Sequence, residues 1–271
     1  MKAFHWFLVA MSFGLASNGL AQCGALPPKE ALLVDESARL VTEYNLNKTL
    51  SVNVYILAAA FNVYDIGTGV IEDEWEDLNE LFEPIGLSFQ ICGWHFVPNY
   101  NWNVVDREPN TETGMNTEDA ILSQFYIPKT INVYYVGDII NPEIAGYAYF
   151  PGGPDVIVVR KGAGSGVLAH EMGHFFGLYH TFETSYGLEL ANGSNCSSTG
   201  DLVCDTPADN NGSFNLDECE YTDMATDANG QPYTPYLSNI MAYYGGCGCK
   251  FTVGQYNRMA WMYLNQRNYL F

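Results

Sequence analysis

Along the first 160 residues the apolar positions fall into two rhythms, short dense runs and helical spacing; between residues 181 and 237 they follow neither. SVNVYILAAAF (51–61), rich in β-branched and aromatic residues, predicts a buried strand. Ile71, Trp75, Leu78, Leu81 and Phe82 then recur at helical spacing among acidic residues and predict an amphipathic helix. LSFQICGWHF (87–96) predicts a second strand, followed by the polar loop NYNWNVVDREPNTETG. Ala120–Phe125 reads as a short helix and INVYYV (131–136) as a third strand. GYAYFP (146–151) and DVIVVR (155–160) predict two more strands joined by a Gly-Gly-Pro turn. The order β-α-β-α-β-β-β is that of a twisted mixed sheet with helices against it.

A further helix is expected from about Ser165 to Leu178. Residues 181–237, rich in Gly, Asn, Asp, Thr and Ser, read as a long irregular segment of the kind held by disulfides or metal. Order returns at the end, where Thr252 and Gln255 form a capping-box pattern. Tyr256, Met259, Ala260, Tyr263 and Leu264 make the apolar face of the helix that follows. The expected fold class is α+β, with an upper sheet-and-helix lobe and a loop-rich lower lobe closed by a C-terminal helix.

Composition sharpens this picture in three ways. The formal charge of −20 gives a surface that repels nucleic acid and anionic lipid. It also suits calcium, whose ligands are carboxylates and carbonyls. Lys2, the apolar run FLVAMSFGLA and the small residues Gly19 and Ala21 on either side of Leu20 predict a signal peptide over residues 1–21. No later run is long and apolar enough to span a membrane. The expectation is a secreted chain with a short N-terminal segment over 22–50 and one domain over 51–271. Cys23, directly after Leu20-Ala21-Gln22, leaves lipid anchoring as the lesser alternative. Finally, seven cysteines in an exported chain predict disulfides. Cys196, Cys204, Cys219, Cys247 and Cys249 would staple the C-terminal third, while Cys92, in an apolar run, reads as a buried thiol. Zinc binding by the cysteines competes poorly, because no pair has CxxC spacing.

HEMGHFFGLYH (170–180) holds three of the five histidines. His170 and His174, four residues apart, lie one above the other on a helix face, so both imidazoles can reach one cation. Glu171 projects beside them and can take a proton from a water that the metal activates. Gly177 can adopt the left-handed conformation that ends a helix, and the turn would bring His180 back as a third ligand. Three neutral imidazoles suit zinc and leave a position open. The competing reading, a buried helix with hydrogen-bonded core histidines, accounts for neither the glycine nor the spacing. In GDLVCDTPADN (200–210), Asp201, Asp205 and Thr206 put oxygen atoms on a tight turn, which suits either calcium or an ordinary Asx-rich turn.

HEMGHFFGLYHTFE, GDLVCDTP (200–207), SNIMAYYG (238–245) and FTVGQYNRM (251–259), in that order, resemble the pappalysin/cytophagalysin family of metzincin zinc peptidases. The resemblance implies a metzincin-like domain whose active-site helix carries zinc on His170, His174 and His180. Met241, which alone reads equally well as core filler, would form the Met-turn beneath the metal. Tyr243 would help to stabilise the tetrahedral intermediate. Calcium would sit in the region of 200–207. GYAYFP would be the edge strand that receives a protein or peptide substrate as an extended strand. Disulfides resembling the family's are Cys196–Cys219, and Cys204 with Cys247 or Cys249. Cys23-Gly24 resembles a latency cysteine, whose thiolate takes the metal's open position. The stretch after Tyr243, YGGCGC, carries no carboxylate, and its small residues leave room beside the site. The expected function is a secreted zinc endopeptidase with Glu171 as general base. The alternative is an exported zinc-bearing binding or adhesion module without turnover, which has no need of Glu171.

Overall fold

The computed structural model describes residues 22–34, 45–108 and 115–271; the expected signal peptide lies outside them. The strands are β1 (Gln22–Cys23), β2 (Lys48–Leu57), β3 (Leu87–Val97), β4 (Val104–Val105), β5 (Ile131–Val136), β6 (Asp138–Ile139), β7 (Ile144–Ala148), β8 (Val156–Arg160), β9 (Phe214–Asn215) and β10 (Glu220–Tyr221). The helices are α1 (Thr68–Phe82), α2 (Thr117–Phe125), α3 (Ser165–Phe175) and α4 (Val253–Gln266). A six-stranded sheet runs β1-β7-β8-β5-β2-β3. β2, β3, β5 and β8 are mutually parallel, β7 is antiparallel to β8, and β1 is parallel to β7.

The inner strands are apolar on both faces because both faces are covered. Val52, Val54, Ile56, Val133, Tyr135, Ile157 and Val159 face α1, α3 and α4 in the main core. The alternate residues Tyr55, Leu57, Tyr134, Val136, Val156 and Val158 face Ile121, Leu122 and Phe125 of α2. β3 lies at the sheet edge, where Cys92 is the extra residue of a bulge between the pairs Val52–Ile91 and Asn53–Gly93. It is therefore exposed, not the buried thiol its apolar neighbours predict.

α4 begins with the predicted capping box, Thr252 Oγ1 accepting from the Gln255 amide. Just past its end, Arg267 is fully buried and pairs with Asp155. Its Nε donates to Phe175 O (2.9 Å), its guanidinium lies 3.6 Å from the Phe175 ring centre, and its Nη2 donates to Tyr149 O (2.8 Å). One side chain thus joins the end of α4, the end of α3 and the loop that precedes β8.

Residues 176–252 are mostly turns, with the small hairpin β9–β10 as their only paired strands among the described residues. The disulfides are Cys196–Cys204 and Cys219–Cys247, with Cα separations of 5.1 and 5.8 Å. This corrects the family-based pairing. Consecutive tight turns, closed by Gly193 N to Leu190 O and Cys196 N to Gly193 O, fold residues 190–204 back on themselves. The cysteine nearest Cys196 in sequence is then also nearest in space. Cys219, at φ 48° in the turn of the hairpin, is left to meet Cys247, and Cys249 stays free and exposed.

Candidate metal centre and active site

α3 carries His170 and His174 on its buried face, one helical turn apart. The helix ends at Phe175, three residues earlier than its apolar pattern predicts, because Gly177 takes φ 84° and turns the chain. A Cβ at Gly177 would lie 2.8 Å from Met262 Cγ of α4, so the position needs glycine for its backbone and for its space. The turn returns His180 to the other two histidines. The three Nε2 atoms stand 3.1, 3.1 and 3.2 Å apart.

The ring orientations suit a metal. His170 Nδ1 lies 2.7 Å from Ile240 O, and His174 Nδ1 lies 2.7 Å from Leu178 O. A carbonyl can only accept, so both Nδ1 atoms carry the proton and both Nε2 atoms turn a lone pair inward. Burial pushes His170 down to about 4, and burial together with the neighbouring histidines pushes His174 and His180 below the usual range. All three rings stay neutral, as ligands must. Tetrahedral zinc at about 2.0–2.1 Å from each nitrogen implies nitrogens roughly 3.3 Å apart. The observed spacing fits.

The remaining site residues surround this centre. Met241 is fully buried, and a Cβ on Gly173 would meet its sulfur at 2.5 Å, so it packs directly against α3 behind the histidines. Glu171 is buried beside β7, with its Cγ 3.1 Å from where a Cβ on Gly146 would stand. Gly146, which the sequence reading did not single out, leaves room for that carboxylate. Burial pushes Glu171 up to about 8; a cation at the histidines would draw it down. The Tyr243 ring lies 4.9 Å from that of His180 and 5.8 Å from that of His170.

Cys23 reaches the same place from the far end of the chain. Its sulfur and the three histidine nitrogens all lie within 4.8 Å of one another, and the thiol donates to Glu171 Oε2 at 3.2 Å. Tyr243 Oη accepts from Cys23 N (2.7 Å) and donates to Cys23 O (3.2 Å). The segment that follows is gripped through its main chain: Arg107 donates to Gly24 O, Tyr186 to Pro28 O and Arg258 to Leu32 O, while Tyr179 Oη accepts from Leu32 N.

Asp201, Asp205 and Thr206 do not form one cluster. Asp201 is buried and accepts from Thr206 Oγ1 at 3.0 and 2.9 Å and from Val203 N at 2.9 Å. Asp205 instead caps α4, accepting from Thr252 Oγ1 and Gly254 N at 2.7 Å each. Its carboxylate is engaged by the helix N-terminus rather than by Asp201 and Thr206. The sequence reading missed Glu189, a buried carboxylate packed against Gly200, whose Oε1 has no hydrogen-bond partner. Burial raises Asp201 well above the usual carboxylate range and Glu189 to about 7.

A mixed sheet above a helix that presents three imidazoles and a glutamate, with a methionine behind them, defines a metzincin-like peptidase domain. The comparisons agree. The sequence profile described as pregnancy-associated plasma protein-A, that of the pappalysin peptidases, matches residues 159–263. An extracellular metalloprotease of Pyricularia oryzae is 29% identical, with 98% of this chain and 97% of that protein aligned. One from Neurospora crassa is 28% identical over 86% and 82%. Mature mirolysin of Tannerella forsythia, solved with a cleaved peptide, superposes with a TM-score of 0.52 at 18% identity, over 78% of this chain and 89% of that one, and shares the fold. Residues 159–263 thus match the pappalysin peptidase family, and the chain is a zinc metallopeptidase.

Proposed function

We propose that the protein is a secreted endopeptidase that is latent while residues 22–34 lie across its active site. The observation that carries this reading is the convergence of three imidazole nitrogens, the Glu171 carboxylate and the Cys23 sulfur on one point. His170, His174 and His180 would hold the zinc. When bound, zinc supplies the Lewis acidity that lowers the pKa of a water and polarises the scissile carbonyl.

The chain's own residues do the rest. The Ile240 and Leu178 carbonyls hold two imidazoles in the ligating orientation. Glu171 takes the proton from the attacking water and passes it to the leaving amine. The Tyr243 hydroxyl, now bonded to the Cys23 backbone, is freed when that segment leaves and donates to the developing oxyanion. Met241 packs behind the ligands and keeps them from shifting. β7, which now pairs with β1 through Gly24 N to Gly146 O (2.8 Å), offers the same main-chain groups to an extended substrate. The peptide in the mirolysin complex favours such a substrate, and the relatives named extracellular favour secretion. Asp201, Glu189 and the Thr206 hydroxyl would hold calcium, which resolves the otherwise unpartnered Glu189 oxygen.

The test is cleavage of a denatured protein by the full chain, with zinc measured on every sample. Wild type, Cys23→Ala and Cys23→Ala/Glu171→Ala should each hold zinc. Cys23→Ala should cut at least about tenfold faster than wild type, and the double variant should fall by about 100-fold or more. Equal rates for wild type and Cys23→Ala would sink latency; cutting by the double variant would remove Glu171 from the mechanism.

A further inference from the structure

Beside Glu171 and His170 a cavity of about 260 Å³ opens, and nothing in the reaction just described fills it. Gly166 and Val167 of α3 line one wall, Ala242, Tyr244, Gly245, Gly246 and Gly248 another, and Gln22 also lines it. Apart from Glu171, no residue that lines it among the described residues carries a charge. Its size exceeds the ~150 Å³ of an apolar cavity that takes up benzene. The far wall is fixed rather than yielding. Cys247 is bonded to Cys219, and Tyr244 donates to Asp209 Oδ1 at 2.5 Å.

We infer that this cavity selects the residue immediately after the cut and that it takes a large uncharged side chain: phenylalanine, tyrosine, leucine or methionine. The inference rests on the peptidase reading. The leaving nitrogen must come within reach of Glu171, and that nitrogen belongs to the residue following the scissile bond. The cavity begins at Glu171, so that residue's side chain is the one aimed into it. An arginine or lysine would leave its charge among apolar groups and glycine backbone with no carboxylate besides the one that catalysis needs. A glycine or alanine would leave most of the cavity unfilled and forgo the burial that orients the scissile bond.

Two substitutions probe the wall. A Cβ on Gly166 meets nothing within 4 Å, and the residue lies in the first turn of α3, where a carboxylate is favourable. Gly166→Asp therefore adds a counter-charge without crowding. Val167→Trp reduces the volume. Full-length, zinc-loaded Cys23→Ala is incubated with a denatured protein, and its cut sites are read by mass spectrometry. Phe, Tyr, Leu and Met should follow the cut at least tenfold more often than Arg and Lys. Gly166→Asp should raise the Arg/Lys share by about tenfold, and Val167→Trp should shift cutting toward Ala, Ser and Gly. A wild-type preference for Arg or Lys, no preference at that position, or a preference that neither variant moves would overturn the proposal. Binding of the hydroxamates of phenylalanine and arginine separates the two readings. If nothing is cut, the peptidase reading fails, while tighter binding of the phenylalanine compound upholds the cavity assignment and equal or reversed binding overturns it.

Discussion

The sheet and the loop-rich region from 176 to 252 meet at the same three histidines, yet they are held together differently. The sheet's inner strands are apolar on both faces and buried on both faces, and α1, α3 and α4 close over one of them. Below α3, the buried side chains include Glu189, Asp201, Asp209 and Asp227, and two disulfides cross-link the turns. Hydrophobic burial needs only area, and it tolerates local change. A region built on carboxylates, turns and cross-links depends on a few particular partners, so it should respond to reductant and to calcium where the sheet does not. The proposed active site draws on both: α3 supplies two histidines and Glu171, and the lower region supplies His180, Met241 and Tyr243.

The largest effect is expected on the sheet side, where the ends of α3 and α4 are tied to the loop before β8. Arg267→Ala removes the partner of buried Asp155 and frees the carbonyls of Phe175 and Tyr149. It should cost about 3–5 kcal/mol in a urea titration. A loss under about 1 kcal/mol would mean that α3 and α4 are not held to the sheet there.

Next come the cross-links. Cys219–Cys247 closes a span of 28 residues and Cys196–Cys204 one of 8. Loop-closure entropy puts them at roughly 3.5 and 2.5 kcal/mol. Paired serine replacements should fall in that order by thermal melting. The first pair should also blur the cut-site preference, because Cys247 anchors the lining glycines on either side of it. If both pairs leave the melting temperature unchanged, the lower region does not depend on its staples.

The smallest effect concerns calcium. Added calcium should raise the melting temperature of the wild-type chain by an amount worth about 1.4 kcal/mol at a tenfold excess over its dissociation constant. Asp201→Asn should abolish that rise. An equal rise in the variant would place any calcium elsewhere.

Much of this was legible along the chain. The strands at 48–57, 131–136 and 156–160 were readable because residues buried on both faces must be continuously apolar, although the apolar run of the first carries on to Phe61, past the strand's end and exposed. The capping box of α4 was readable because it closes within four residues. His170, Glu171, His174, Gly177 and His180 were readable for the same reason: one helix and one turn determine their relative positions. The disulfide pairing was not, since it depends on how successive turns fold residues 190–204 back. Nor was Asp205, whose partner is a helix end almost fifty residues away in sequence. The exposure of Cys92 depended on a bulge, which only the register with β2 reveals.

By itself, then, the sequence determined the local objects: the strands, the helices, the three-histidine turn and the chemistry those residue types allow. Only the tertiary structure decided which distant groups meet at them. Cys23 arrives at residues 170–180 from well over a hundred positions away, Arg267 reaches Asp155, and Glu189 comes to rest against Gly200 beside Asp201. The physical reason is one of range. Backbone geometry and side-chain periodicity act over a few residues, whereas these contacts form only after the sheet and helices have buried their apolar faces and brought remote segments to one surface.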